Sequence, residues 1–352
     1  MDSNFHYYAI KLLACKAGFT EAQAQKIAEY SQFIDDYDRT GRIHTDTPPP
    51  AGISYVKEDD LYAVESVTTG FSPVTNAADL LTEDFQRKVV VPFHFILPNK
   101  LTEDNRNFVA IPARLNDGQV ITRLMEATYR EFSAGNRLSD KILIAIGCMA
   151  HAFSDTYAHE GFSGFRTEAN DFEIEQYVQY DGAGYKDFTE PERKIGPVAY
   201  STLPAIGHTT IGHTADYTNG MFSLKHKSKP DVYLRRVRNN YEYFMKPLAE
   251  LFRYFQLFTQ IAGNFDDIIA KFKQGFLANE KNAAAVWSAT DGGIVFAYDK
   301  RKIYDRLYSQ KGVRSVGSSL GGKYRITVYN LTSEFYIFNE CAAKIRREAV
   351  GV

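Results

Sequence analysis

The chain has 352 residues, of which 44% are hydrophobic and 24% are charged, and its formal net charge is −2. These proportions are typical of a globular protein with a large hydrophobic core, and they exclude a disordered chain. The near-neutral charge gives no indication of nucleic-acid binding. The three cysteines, Cys15, Cys148 and Cys341, are scattered, which argues against a disulfide framework and against a thiolate zinc site.

The ends of the chain and its apolar runs bear on localisation. Residues 1–6 lack the basic region and apolar core of a secretory signal. No apolar run is long enough to cross a bilayer. We therefore expect a cytoplasmic protein without a transmembrane segment, and export that reads no N-terminal signal remains an alternative. The sequence does not indicate the oligomeric state.

Two helices are predicted at the start of the chain. Residues 5–17 place apolar side chains on one face. Thr20 is the predicted N-cap of the second helix, with Gln23 as its capping-box partner. This helix ends in an acidic run that contains Asp35 and Asp36. Acids at a helix C-terminus oppose the helix dipole, so the run predicts either a bound cation or simple exposure to water.

Two later stretches, at about 41–116 and 160–230, are predicted to be long irregular insertions. Both are rich in glycine and threonine, and their apolar runs are short. Within the first, residues 89–97 predict a strand or a buried extended segment that contains His94. Pro92 would restrict such a strand to the edge of a sheet.

The most informative stretch is a predicted central helix at about 139–159. It contains His151, Asp155 and His159, each four residues from the next, so the three side chains share one face. The preceding residues are nearly all apolar, which predicts burial. Buried imidazoles and carboxylates need partners. A divalent metal would satisfy all three, whereas an ordinary hydrogen-bonded core is the alternative.

Further candidate ligands lie outside this helix. A later segment with flanking glycines contains a second dense group of candidate ligands, His208, His213 and Asp216. Glycine lets the backbone approach a site closely. The complete set of candidate metal ligands is His6, Asp35, Asp36, His94, His151, Asp155, His159, His208, His213 and Asp216. Imidazole and carboxylate ligands suit zinc, with manganese or iron as alternatives. The set is too large for one tetrahedral ion, so we expect two or three metals.

The order of these ligands in a helical frame resembles the zinc-dependent phospholipase C and single-strand nuclease superfamily, whose enzymes use a trinuclear zinc site. Residues 5–8 and 31–36 also look like a bacterial family of unknown function related to those enzymes. The fold that the resemblance implies is mainly α, a single helical domain over residues 1–352 with the two insertions.

The resemblance also implies roles for the candidate ligands. Asp155 would bridge two metals, one of them completed by His151, His94 and either Asp35 or Asp36. His6 would hold the second metal with Asp155. His159 would hold the third with Asp216 and either His208 or His213. The superfamily's last pair is His-xxx-Glu, whereas this chain has His213 and Asp216 three positions apart.

The expected activity is that of a zinc-dependent phosphodiester hydrolase, most like phospholipase C, acting on a small phosphodiester or a phospholipid. Zinc would polarise the phosphoryl group and lower the pKa of water from ~15.7 towards ~7. Asp155 would act as the bridging ligand, and Asp35 or Asp36 as general base. Two alternatives remain at this stage, namely a non-catalytic binding or structural protein that metals stabilise, and a metal-free polar network.

Overall fold

The structure is a computed structural model. It describes residues 1–39, 41–49, 55–58, 60–71, 78–181, 183–187, 194–195, 198–199, 203–229, 236–278, 282–311, 313–316, 324–328 and 332–352. Parts of both predicted insertions therefore lie outside the described residues.

Helices form the larger part of the described chain. The α-helices are α1 (Ile10–Lys16), α2 (Glu21–Asp36), α3 (Glu83–Phe85), α4 (Val91–Phe93), α5 (Val120–Gly135), α6 (Asp140–Ala158), α7 (Asn240–Tyr243), α8 (Met245–Thr259), α9 (Ile269–Gly275), α10 (Ala283–Thr290), α11 (Lys300–Tyr308) and α12 (Glu334–Val350). A π-helical segment, Asn4–Ala9, leads directly into α1. The predicted capping box is confirmed, because Thr20 and Gln23 bond each other's backbone at the start of α2.

The prediction of a mainly α fold is wrong, because the described residues also include eleven strands. They are β1 (Gly41–Thr45), β2 (Val56–Glu58), β3 (Leu61–Glu65), β4 (Phe172–Tyr180), β5 (Tyr185–Asp187), β6 (Lys194–Ile195), β7 (Val198–Ala199), β8 (Gly220–His226), β9 (Arg236–Asn239), β10 (Val313–Val316) and β11 (Tyr324–Val328). The fold is therefore mixed α/β, and the two insertions contain regular strands.

The strands form three sheets within the described residues. The first has the order β10-β11-β1-β3-β2, with β1 and β11 parallel and the other pairs antiparallel. The second is antiparallel with the order β5-β4-β8-β9, and β6 pairs with β7. The two central strands of the second sheet, β4 and β8, direct their apolar residues towards the helical segment around α3 and α4. The sheet and this helical segment together enclose a separate hydrophobic cluster.

An irregularity in β4 explains why its strand character is hard to recognise. Phe172 and Ile174 are buried in alternation, but the next buried aromatic is Tyr177, three positions further on. The register against β8 shifts between Ile174 and Gln176. A bulge of this kind inserts one residue and interrupts the period of two on which strand prediction depends.

The prediction of a strand or extended segment at 89–97 is also wrong for its first half. A π-helical segment, Gln86–Val90, runs into α4, and Thr82 caps the start of this helical region by accepting from the Phe85 N–H. Pro92 lies within this continuous helical region, which ends two residues later at the C-cap His94. Three consecutive valines favour a strand locally, but the N-cap and the packing of the segment prevail.

The site lies where two hydrophobic cores meet. Phe93 belongs to the larger core, which the helices enclose, and Phe95 belongs to the smaller core beside the second sheet. His94 lies between them in the chain. The chain passes between the cores in the same way around His159, since Ala158 belongs to the larger core and Phe162 to the smaller one.

No helix of the described residues has both the length and the apolar character to span a membrane.

Gly147 allows α2 and α6 to approach each other one turn before His151. A Cβ atom at this position would lie 2.4 Å from the backbone oxygen of Ile27. We expect Gly147→Ala to destabilise the protein by about 1–3 kcal/mol, because a backbone oxygen cannot move aside easily. The measurement is the free energy of unfolding in urea.

Gly135 provides the matched control, since it is also a helical glycine but has no neighbour within 4 Å of a Cβ. Gly135→Ala should be neutral or stabilise by about 0.5–1 kcal/mol. Equal stability of the Gly147→Ala and Gly135→Ala variants would contradict the proposed close approach of the two helices.

Candidate metal centre

Separate elements bring eight side chains of the predicted set together. His151 and Asp155 lie on one face of α6, and His159 caps its C-terminal end. The others come from the last turn of α2 (Asp35), the π-helical segment before α1 (His6), the C-cap of α4 (His94) and the two ends of a 3₁₀ segment, Thr209–Ala215 (His208 and Asp216).

Four of these side chains direct their ligand atoms to one point. Asp155 Oδ2 lies 3.3 Å from both His94 Nδ1 and His151 Nε2, and these two nitrogens are 3.4 Å apart. Asp35 Oδ1 lies 3.6 Å from His94 Nδ1 and 3.7 Å from His151 Nε2. We call these four residues the tetrahedral set.

The separations in the tetrahedral set match those around a four-coordinate zinc ion. Bonds of about 2.0–2.1 Å at tetrahedral angles place the ligand atoms roughly 3.3–3.4 Å apart. The five separations given above run from 3.3 to 3.7 Å. They exceed the usual length of a hydrogen bond from nitrogen to oxygen, about 2.7–3.2 Å, so hydrogen bonding alone does not account for the arrangement.

The second carboxylate oxygens of Asp155 and Asp35 face His6. Asp155 Oδ1 lies 3.0 Å from His6 Nε2 and 2.7 Å from the amine nitrogen of Met1. Asp35 Oδ2 lies 4.0 Å from His6 Nε2. Each carboxylate thus presents one oxygen to the tetrahedral set and the other to His6, which is the geometry of a bridging ligand.

A third group, which we call the outer set, consists of His159, His208 and Asp216. His159 Nε2 lies 3.1 Å from Asp216 Oδ1, and His208 Nε2 lies 3.3 Å from Asp216 Oδ2. One ligand atom from each residue lies within 4.8 Å of the others. The side chains of His208 and Asp216 keep 16% and 13% of their surface exposed, so this set borders solvent.

Backbone carbonyls hold three of the imidazoles in one tautomer. His94 Nε2 lies 2.8 Å from the Thr69 oxygen, and His208 Nδ1 lies 2.7 Å from the Gly212 oxygen. His159 Nδ1 lies 2.5 Å from the His94 oxygen. Because a carbonyl oxygen only accepts, each of these ring nitrogens must carry the proton. The opposite nitrogen of each ring then has a free lone pair towards the site, as in most metal-binding histidines.

Two further buried nitrogens have no hydrogen-bond partner among the described residues. They are Nδ1 of His6 and Nδ1 of His151, on rings that are fully buried. The two rings stack with their centroids 3.9 Å apart. Since buried polar atoms are normally satisfied, these two nitrogens are exceptions within the described part of the chain.

The carboxylates of Asp155 and Asp216 are held in their charged forms. Burial alone would raise both pKa values, but the Met1 amine and His159 lower the pKa of Asp155 well below its usual range. His208 and the Met1 amine do the same for Asp216. Both side chains therefore remain anionic far below neutral pH.

Burial acts on the other ligands in different directions. It lowers the pKa of His6 well below its usual range and that of His208 to about 4. It raises the pKa of Asp35 despite the imidazoles nearby. Burial also acts to lower the pKa of His94, but its contact with the Asp155 carboxylate and the charge of Asp35 raise it overall. At neutral pH, His6 and His208 are therefore neutral, as metal binding requires.

Two of the predicted ligands lie outside these groups. Asp36 turns away from the site and accepts from the Tyr298 hydroxyl at 2.5 Å, with Lys300 Nζ at 3.4 Å. Lysine is therefore the cation that offsets Asp36 at the end of α2. The side chain of His213 is 61% exposed, and its Nδ1 lies 3.7 Å from Asp216 Oδ2.

Other residues of the site carry little signal in the sequence. The Thr69 carbonyl and the adjacent Gly70 lie between regular elements, and a Cβ on Gly70 would lie 2.0 Å from the backbone oxygen of Asp35. Phe95 stacks on His159 with ring centroids 4.3 Å apart. A backbone contact leaves no trace in residue type, although the glycine and the aromatic neighbour of His94 are weak signals of close packing.

Fold and site together define a mixed α/β protein with an enclosed histidine–aspartate centre. The chain belongs to a family of unknown function, DUF6765, whose model matches residues 1–350. No curated protein and no solved structure matches the chain.

The tautomers can be tested without any metal. In chelator-treated protein at pH 8, nitrogen NMR should show the proton of His159 and of His208 on Nδ1, and that of His94 on Nε2, because each of these nitrogens faces a carbonyl oxygen. His226 is an internal reference, since its Nδ1 accepts from the Lys229 N–H at 2.9 Å and its Nε2 faces the Glu168 oxygen. Protons on the opposite nitrogens of His159 and His208 would contradict this geometry.

Proposed function

We propose that this protein is a zinc-dependent hydrolase of phosphodiester bonds, with two or three zinc ions and a ligand order like that of phospholipase C. The observation that carries the proposal is the tetrahedral set, whose four ligand atoms have the separations of a zinc coordination shell. Manganese or iron is the alternative for the same ligand types.

The charge of the site supports a cation in the same place. Asp155 and Asp216 lie beside the neutral rings of His6 and His208, and both carboxylates remain anionic well below neutral pH. Enclosed carboxylates are stable when they are paired or coordinate a metal. Divalent ions between Asp155 and the imidazoles of His94 and His151 would meet this need.

The difference between the sets favours catalysis over a purely structural role. Four protein ligands fill the tetrahedral set, as in structural zinc sites, whereas the outer set offers three ligand residues. Catalytic zinc sites keep a position free for water or substrate. In the outer set, the partly exposed side chains of His208 and Asp216 leave that position facing solvent.

Each residue then has a role that follows from its position. Bound zinc would act as a Lewis acid on the phosphoryl group and would lower the pKa of water. Asp155 links the tetrahedral set to His6 through its two oxygens. Asp35 would hold zinc in the tetrahedral set through Oδ1, and its second oxygen, on a side chain that is 30% exposed, is the atom that we assign as general base. Asp36 is bound to Tyr298 and Lys300, so we assign it no catalytic role.

The aromatic residues do not favour a lipid substrate. The largest fully buried side chains are mostly tyrosine and phenylalanine, among them Tyr7, Tyr30 and Phe33. The aromatic content of the chain thus serves the core. We therefore propose the shared chemistry, a phosphodiester, and leave a small soluble ester and a phospholipid to be separated by assay.

A second candidate is a non-catalytic protein that metals stabilise, and the closed coordination of the tetrahedral set favours it. His151 and Asp155 are fully buried and come from one helix, while Asp35 and His94 come from two other segments. A metal at this point would join three parts of the chain whether or not catalysis occurs.

Activity assays with zinc-loaded variants separate the two candidates. We expect His208→Ala and Asp216→Asn to lower hydrolysis of a soluble nitrophenyl phosphodiester more than roughly 100-fold. Changing a residue that only hydrogen-bonds to a metal ligand already costs about 10–100-fold, and these two variants remove ligands themselves. The same assays on short-chain phosphatidylcholine determine whether phospholipid is also a substrate.

His213→Ala is the matched control, since it removes an exposed imidazole near Asp216 that lies outside the ligand groups. This variant should retain wild-type activity. Zinc-loaded wild-type protein that hydrolyses neither ester would contradict the hydrolase proposal and favour the structural candidate. Equal activity of the His208→Ala and wild-type proteins would contradict the assignment of the outer set.

A further inference from the structure

Arg238 joins two segments of the site without touching a ligand side chain. Its Nη1 donates to the Tyr157 oxygen at 2.8 Å, and its Nη2 donates to the Ala158 oxygen at 2.9 Å and to the Ala215 oxygen at 2.8 Å. Ala158 directly precedes His159, and Ala215 directly precedes Asp216. One guanidinium thus holds the backbone beside two members of the outer set.

Asn240 completes this contact from the same strand end. Its side chain is buried, and Nδ2 donates to the oxygens of Tyr217 at 2.8 Å and Ala215 at 3.2 Å. Its Oδ1 accepts from Arg238 Nε at 2.7 Å. The carbonyls on both sides of Asp216 are therefore held by one hydrogen-bonded pair of side chains.

The chemistry of the guanidinium suits this position. The last carbonyls of α6 have no partner within the helix, and a cation at a helix C-terminus is also favourable for the dipole. The fixed fork of donors reaches three carbonyls at once, which a lysine ammonium on a flexible stem cannot reproduce. The guanidinium also lies over the Phe222 ring, 4.9 Å from its centroid.

We propose that Arg238 and Asn240 are positioning residues that set the distance between His159 and Asp216 and so create the outer set. The inference rests on the proposed metal centre, because positioning has a measurable consequence only if the set binds a metal. The hydrogen bonds of Arg238 and Asn240 end on the backbone beside His159 and Asp216 and on no side chain of the tetrahedral set. The pair therefore acts on the outer set and leaves the tetrahedral set unchanged.

Arg236 is a matched control in the same strand, β9. It donates to the oxygens of Glu160 at 3.1 Å and Gly161 at 2.5 Å, and its guanidinium lies over Phe162 and Phe172. It thus holds the chain just after His159, but its hydrogen bonds do not reach the segment around Asp216. Loss of stability alone should be similar for substitutions of Arg236 and Arg238.

The experiment measures zinc per chain and zinc affinity, by mass spectrometry and chelator competition, on the full-length chain. Arg238→Lys retains the charge but loses the fork, and it should weaken one zinc by about 10–100-fold. Asp216→Asn should weaken the same zinc, and Arg236→Lys should leave all zinc sites unchanged. Thermal unfolding of each zinc-free variant provides the separate reading of stability.

If Arg238→Lys does not fold, Asn240→Asp is the variant that tests the proposal. It retains the shape of the side chain and removes the two donors, while its added negative charge alone would favour a cation. Weaker zinc binding by this variant would therefore report lost positioning.

Two results would overturn the inference. One is unchanged zinc binding by Arg238→Lys or Asn240→Asp while Asp216→Asn loses an ion. The other is a wild-type protein whose outer set binds no zinc, so that Asp216→Asn changes nothing. Zinc retained at the tetrahedral set would then show that the proposed metal centre survives although the positioning role does not.

Discussion

The structure depends on a carboxylate, Asp155, that is buried near the C-terminal end of an apolar helix. Its first oxygen faces His6 and the Met1 amine, and its second faces His94 and His151. A buried anion requires compensation on every side from which water is excluded. The surrounding segments supply imidazoles and an amine at these positions, and the Asp35 carboxylate increases the need for positive charge.

The architecture that satisfies this requirement is a junction between two hydrophobic cores. The close approach of α2 and α6 at Gly147 brings Asp35 beside His151 and Asp155. The segment from Phe93 to Phe95 passes between the cores and places His94 on the opposite side. Polar ligands therefore lie on a surface between packed layers, where carbonyls of irregular segments such as Thr69 and Gly212 are available to orient the rings.

The sequence predicted those parts of the site that depend on local geometry. The four-residue spacing of His151, Asp155 and His159 places them on one face, because an α-helix has about 3.6 residues per turn. The choice between Asp35 and Asp36, or between His208 and His213, depends on how the segment ends turn, and sequence cannot determine it. The structure brings Asp35 and His208 into the groups and gives Asp36 a lysine partner instead.

The strands are the main part of the fold that the sequence did not predict. The bulge in β4 disrupts its alternation between Ile174 and Gln176, and the pairing of β1 with β11 joins residues nearly three hundred positions apart. Non-local pairing of this kind has no signature in a local window. The valines at 89–91 illustrate the opposite error, because their β-propensity gives way to the Thr82 cap and to packing between the cores.

The most direct test of the metal centre is anomalous diffraction at the zinc absorption edge from crystals of the zinc-loaded protein. The account predicts one peak about 2.0–2.1 Å from His94 Nδ1, His151 Nε2 and an oxygen each of Asp35 and Asp155. A second peak should lie among His159, His208 and Asp216. Crystals of protein saturated with zinc that give no peak between these four residues would contradict the central claim, and the cluster would then be a polar network.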